Sequence, residues 1–247
     1  MYEGMLAETV RIDGHGGDSI DAYLARPLGA GPCPGVVVIH HMPGWDAGSK
    51  EITRTFAANG YVAICPNLHH REGPGAVAVM VARVRESGGV PDERFVGDTE
   101  AAIRFLRSLP YSSGKVGAIG YCSGGRQAYI AACKMPSLDA VVDCYGGRVV
   151  MEPDQLTDRT PVSPFDMTKD MAVPLLGLFG FEDANPSSAE VAKIEAELKR
   201  LGKTYEFHSY ENAGHAFFAV NRPNYRQEAA ADGWEKVFAW FGKYLGG

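Results

Sequence analysis

The stretch GYCSGG at residues 120–125 sets two nucleophiles side by side, the thiol of Cys122 and the hydroxyl of Ser123. A strand that turns at once into a helix at a nucleophile needs small residues two before and two after it. A larger side chain there collides across the sharp turn. For Cys122 these positions are Gly120 and Gly124; for Ser123 they are Tyr121 and Gly125, and a tyrosine does not fit. Sterics therefore assign the turn to Cys122 and leave Ser123 to offer its backbone N–H at the helix N-terminus. A thiol has an ordinary pKa near ~8.5, and a helix N-terminus beside a histidine lowers it toward the working pH. The chemistry such a group performs is attack on a carbonyl carbon to form a thioester.

That chemistry needs a histidine to move protons and an acid to orient the histidine. Asp183 closes the G-x-x-D run at 180–183 after one buried-strand signal, and His215 closes A-G-H at 213–215 after the last one. Singly, each piece has a bland reading. GxCxG is also a glycine-rich turn around an inert cysteine, Asp183 also an N-cap for the helix starting near Ser187, and His215 also a loop histidine. Together they follow the nucleophile, acid, histidine order of the α/β-hydrolase triad.

The elements that must position these groups alternate along the chain. Two short amphipathic strands lie near ETVRI and DAYLARP, followed by the buried run VVVIHH at 36–41, a helix from about Ser49 to Asn59 and the strand YVAICP at 61–66. A longer helix spans about Asp92 to Leu109, with Phe95, Ala102, Ile103 and Leu106 on one stripe and Pro110 as its stop. Then come the strand KVGAIGYC, the helix SGGRQAYIAACKM, the strand LDAVVDCYGG, the strand VPLLGLFG, a helix over 187–201, the strand TYEFHSY and a closing helix to Leu245. Alternation of this kind predicts an α/β fold: a doubly wound, mostly parallel sheet with helices on both faces. No linker or repeat divides residues 1–247, so one domain is expected. The polar, proline-bearing segment 147–172 exceeds the usual connection length and is expected to act as a cover loop. In such sheets ligands sit beyond the carboxyl ends of the strands. Those ends deliver His40, His41 and Met42, then Asn67, His69, His70 and Arg71, then Cys122, Asp183 and His215.

The formal net charge is −6, which argues against a nucleic-acid surface. The five cysteines are odd in number and widely spaced, with no CxxC pair, and Cys65, Cys133 and Cys144 lie in apolar runs as small hydrophobes. The first fifteen residues lack a cationic segment followed by an apolar one. No apolar run approaches the ~18 residues of a membrane span. A cytoplasmic location is the expectation. Adjacent strand residues point to opposite faces, so His40 and His41 cannot serve one ion, and no HxxE or HExxH spacing accompanies His69 and His70. No metal is expected, and GHGG at 14–17 lacks the strand and helix that a phosphate cradle needs.

The sequence resembles the dienelactone hydrolase family, the branch of α/β-hydrolases with a cysteine nucleophile. The likeness runs over nearly the whole chain in VVVIHHMPG, GYVAICPNL, GDTEAAIRFL, YSSGKVGAIGYCSGG, the G-x-x-D at 180–183 and ENAGHAFF. It implies that Cys122 is the nucleophile, His215 the general base and acid, and Asp183 the group that orients His215. It further implies an oxyanion hole from the backbone N–H groups of Ser123 and Met42. The implied reaction is hydrolysis of small activated esters or lactones through a thioester acyl-enzyme, with a small-molecule substrate and no cofactor. A thioesterase or acyltransferase with the same triad is the alternative within catalysis, and a redox-sensing cysteine the alternative outside it. Pocket candidates are His41, Arg71, Tyr145, Phe217 and Arg222. Two departures bear on substrate. Dienelactone-cleaving members carry a glutamate where this chain has His41, and an arginine four residues after the histidine, where it has Ala219. Arg222, in NRPNYR, and Arg71 are the candidate replacements, and neither occupies the matched place. A histidine in place of the glutamate is expected to leave Cys122 more ionised at rest.

Overall fold

The computed structural model describes residues 4–29, 31–220 and 222–246. Its strands are β1 (Met5–Asp13), β2 (Ser19–Pro27), β3 (Cys33–Ile39), β4 (Val62–Pro66), β5 (Ser112–Tyr121), β6 (Ala140–Cys144), β7 (Leu175–Gly180) and β8 (Tyr205–Tyr210). They form one eight-stranded sheet in the order β1-β2-β4-β3-β5-β6-β7-β8. β1 and β2 make an antiparallel pair, and β2 joins β4 antiparallel. Every other pairing is parallel. The helices are α1 (Ala47–Ala58), α2 (Val77–Glu86), α3 (Asp92–Ser108), α4 (Ser123–Lys134), α5 (Pro164–Met167), α6 (Ser188–Arg200) and α7 (Gln227–Phe241).

The apolar runs are continuous because the central strands are covered on both faces. In β3, Val37 and Ile39 belong to one buried cluster with Phe95 and Leu106 of α3, Ile130 of α4 and Leu198 of α6. Val36 and Val38 point the other way, into a cluster with Phe56 of α1 and Val237 and Phe241 of α7. Period-two alternation thus serves two cores at once. Gly117 of β5 is needed where α7 lies close, since a Cβ there would sit 2.7 Å from the Phe241 ring.

Two segments differ from the sequence expectation. α2 was not anticipated. Its N-cap Ala76 has no side chain to accept a backbone bond, and Val84 is its one buried residue, so neither capping nor periodicity announces it. Segment 147–172 is not a plain loop. It carries helical turns at Pro153–Gln155, Pro164–Met167 and Thr168–Asp170, and Ser163 ties it internally by bonding the backbone of Val149 and Met151.

Candidate active site

β5 ends at Tyr121 and α4 begins at Ser123, so Cys122 alone makes the turn, with φ 57° and ψ −118°. A non-glycine residue in the left-handed region stores strain that its surroundings must hold in place. Here the neighbours do so by contact. A Cβ on Gly120 would lie 1.9 Å from the carbonyl oxygen of Gly124, and one on Gly124 would lie 2.3 Å from that of Ile39. The Cys122 N–H donates to Cys144 O at 3.1 Å, while its own carbonyl accepts from Gly125 and Arg126. Cys122 is partly buried, and the four other cysteines are buried and free.

His215 and Asp183 come from the ends of neighbouring strands. Gly180 closes β7 where a Cβ would strike Ala213 O at 2.2 Å, and this close approach brings the two following loops together. Asp183 Oδ2 faces His215 Nδ1 at 2.7 Å, while Asp183 Oδ1 accepts the Asn185 N–H at 2.8 Å. Asn224 Nδ2 donates to His215 O, and Arg226 donates to Asn212 O, so the histidine loop is anchored on both sides.

The electrostatics couple the three side chains. Burial pushes the Cys122 thiol up, but the His215 ring and the backbone N–H groups of Ser123 and Met42 outweigh it and leave the thiol below its ordinary value. Burial acts against charge on His215, yet the Asp183 carboxylate and the Cys122 sulfur raise it to about 10. Both shifts favour a thiolate beside an imidazolium. Tyr145, itself at φ 45°, packs edge-on against His215 with ring centroids 5.1 Å apart.

Two cavities flank this group. The larger, about 380 Å³, is walled by Met42, Ser123, His40, His69, Arg85, Arg126, Arg148 and Thr160, among others. Segment 147–172 therefore supplies part of its wall. Arg126 is neutralised by a two-point pair with buried Asp92 at 2.7 and 3.1 Å. Among the described residues the one side-chain hydrogen bond of Arg148 goes to Gln155 O at 3.4 Å, and Arg85 has none. The smaller cavity, about 70 Å³, is lined by His41, Tyr121, Tyr145, Phe218 and Ala219.

Three expected pocket residues sit elsewhere. Arg71 makes ion pairs with Asp98 at 2.8 Å and Asp18 at 2.7 Å and bonds His15 O, pinning the β1–β2 turn to α3. Phe217 is fully buried behind Tyr145, and its neighbour Phe218 reaches the cavity instead. Arg222 lines neither cavity and lies 4.0 Å from Asp46. His41 does line the smaller cavity, but its Nε2 is held by Asp46 Oδ2 at 2.9 Å, and Asp46 also caps α1 through the Ser49 N–H. Burial would raise Asp46; the bonds from His41 and Ser49 hold it well below the usual carboxylate range. Sequence reasoning missed Arg85 and Arg148. Arg85 lies on the unannounced helix, and Arg148, at φ 58°, lies at the start of segment 147–172, which the sequence marks as a cover without marking any one residue in it.

The dienelactone hydrolase family model matches residues 20–245, which includes every strand but β1 almost complete. The chain belongs to the dienelactone hydrolase family. A Methylorubrum extorquens protein, "Putative carboxymethylenebutenolidase", is 33% identical over 244 residues, covering 98% of this chain and 82% of its own length. A Bradyrhizobium protein, "Probable 2-oxo-3-(5-oxofuran-2-ylidene)propanoate lactonase", is 30% identical and covers 98% of both chains. The crystal structure of a Klebsiella pneumoniae protein of the dienelactone hydrolase type superposes with a TM-score of 0.89 at 30% identity, over 98% of this chain and all of that one. The fold is that of the α/β-hydrolases, and the chain is a hydrolase acting on carboxylic esters. Among the described residues no helix is long and apolar enough to cross a membrane.

Proposed function

We propose that this member of the dienelactone hydrolase family cleaves small activated esters or lactones with Cys122 as nucleophile, His215 as proton carrier and Asp183 as its orienting acid. The observation that carries the proposal is geometric: Cys122 alone makes the sharp turn from β5 into α4, at φ 57°, and Asp183 Oδ2 meets His215 Nδ1 at 2.7 Å on the loops beside it. The Cys122 thiolate attacks the carbonyl carbon, and the carbonyl π pair moves onto oxygen, where the Ser123 and Met42 N–H groups stabilise it. Collapse of the tetrahedral species breaks the C–O bond, and imidazolium His215 gives its Nε2 proton to the leaving oxygen. Neutral His215 then takes a proton from water as that water attacks the thioester. The second collapse releases the acid and returns thiolate and imidazolium.

The acyl portion occupies the larger cavity, whose wall includes both proposed oxyanion donors. Arg85 and Arg148 give that cavity a cationic side, suited to an ester or lactone that carries a carboxylate. Neither stands at the family-matched place, which is Ala219. The lactonase name of the Bradyrhizobium relative supports an unsaturated lactone acid as substrate class. Turnover of p-nitrophenyl acetate by Cys122→Ala and Ser123→Ala tests the assignment. Cys122→Ala should abolish hydrolysis, and Ser123→Ala should retain most of it because only the Ser123 backbone is used. Equal loss in both variants overturns the placement of the nucleophile.

A further inference from the structure

His40 is a buried histidine at the end of β3 that the chemistry above does not use. Both of its ring nitrogens are engaged. Nδ1 lies 2.9 Å from the carbonyl oxygen of His41, and Nε2 receives the backbone N–H of Leu68 at 3.1 Å. A carbonyl only accepts and an N–H only donates, so these partners require the neutral ring with its proton on Nδ1. The environment keeps the ring in that form. Burial, and then the neighbouring His69, lower His40 to about 3. The His69 ring stands edge-on to it with centroids 4.6 Å apart.

The carbonyl that His40 holds belongs to the peptide unit linking His41 to Met42. In a planar trans peptide the C=O and the N–H point in opposite directions. Fixing the His41 oxygen therefore aims the Met42 N–H, and this is the group that bears on the Cys122 sulfur. The Gly44 N–H donates to the same oxygen at 2.8 Å, so two donors polarise the unit and fix its tilt. We propose that His40 is a positioning residue of the oxyanion hole, holding the His41–Met42 peptide so that its N–H points at the reacting centre. The proposal rests on the oxyanion role given to Met42 above.

Two substitutions separate the two hydrogen bonds. His40→Asn keeps a donor at the δ position and loses the acceptor for Leu68. His40→Gln keeps an acceptor at the ε position and loses the donor to His41. The Gln variant should lose about ten- to a hundredfold in kcat on p-nitrophenyl acetate with KM little changed, somewhat less than deletion of an oxyanion donor. The Asn variant, which keeps the donor to His41, should lose about tenfold less than the Gln variant, although it gives up an equally buried bond of comparable worth. The pH profile of iodoacetamide inactivation should move upward for Gln and stay for Asn, because the Met42 N–H also lowers the Cys122 thiol. Equal kcat in the two variants, or losses that track Tm rather than the δ donor, overturn the proposal. A measurement on the wild-type protein needs no variant: the ¹⁵N shifts of His40 should report a neutral Nδ1–H ring from pH 5 to 9, and an Nε2–H or charged ring contradicts it. Cys122→Ala serves as the control. If it hydrolyses the ester as wild type does, the parent reading fails; if it is inactive while His40→Gln is normal, the positioning role alone fails.

Discussion

Replacing Asp183 by asparagine tests the site at one atom. Asp183 has two oxygens with different partners, the Asn185 N–H on Oδ1 and His215 Nδ1 on Oδ2. An asparagine has one oxygen to offer. The Asn185 backbone N–H requires that oxygen at the Oδ1 position, which turns the amide NH₂ toward His215. Nδ1 must then accept, and the ring proton moves to Nε2, the nitrogen that should take protons. The charge-assisted bond, worth about 1.5–3 kcal/mol, is lost as well. At 1.36 kcal/mol per unit, His215 should fall by about one to two pKa units. With the wrong tautomer and a weakened ion pair, kcat/KM should drop by about 10²–10⁴. The assays are ester hydrolysis from pH 5 to 10 and the pH profile of iodoacetamide inactivation. In wild type the thiol should alkylate readily at neutral pH, with the inactivation profile rising through a pKa below the ordinary thiol value. In Asp183→Asn it should rise at higher pH. Coincident profiles and an unchanged kcat/KM would refute the coupling of Asp183 to Cys122 through His215.

Three further outcomes follow from the same geometry. Arg85→Ala with Arg148→Ala should lower kcat/KM for a carboxylate-bearing lactone by about ten- to a hundredfold, and leave its methyl ester nearly unchanged; equal effects on acid and ester would remove these cations from substrate binding. Gly120→Ala should destabilise by about 1–3 kcal/mol or more, because the new methyl meets backbone rather than a movable side chain. A Tm lower by several degrees, with activity lost, is the expected reading. Asp143, fully buried on β6, is raised to about 7 by burial, against the pull of the Gly146 N–H. Its folded pKa exceeds its unfolded one, so its contribution to stability is whole below about pH 4 and lost as pH rises through about 7. Asp143→Asn, which keeps an acceptor for Gly146, should flatten that part of the Tm-versus-pH curve, and an unchanged slope counts against it.

What the sequence disclosed was whatever local sterics and strand order dictate. The turn at Cys122 was legible because only glycine fits at 120 and 124, and the atoms that would collide, Gly124 O and Ile39 O, belong to the turn and the strand beside it. The opposed directions of His40 and His41 followed from strand phase, and the two rings do find partners on different elements, Leu68 and Asp46. Partner choice across long separations was not legible. Arg71 was read as a cation free for substrate, yet Asp98 and Asp18, far away in sequence, take both edges of its guanidinium. His41 lines a cavity, as its strand position suggests, but its partner Asp46, which holds Nε2, is not announced by the sequence. Helix α2, weakly patterned and uncapped, hid Arg85 from view.

The most direct measurement is peptide mapping of the acyl-enzyme, acid-quenched within the first turnovers of p-nitrophenyl acetate. The account predicts one acetyl group on Cys122, cleaved by hydroxylamine at neutral pH as a thioester, and none in Cys122→Ala. An acetyl group on Ser123, or full turnover by Cys122→Ala, would contradict it.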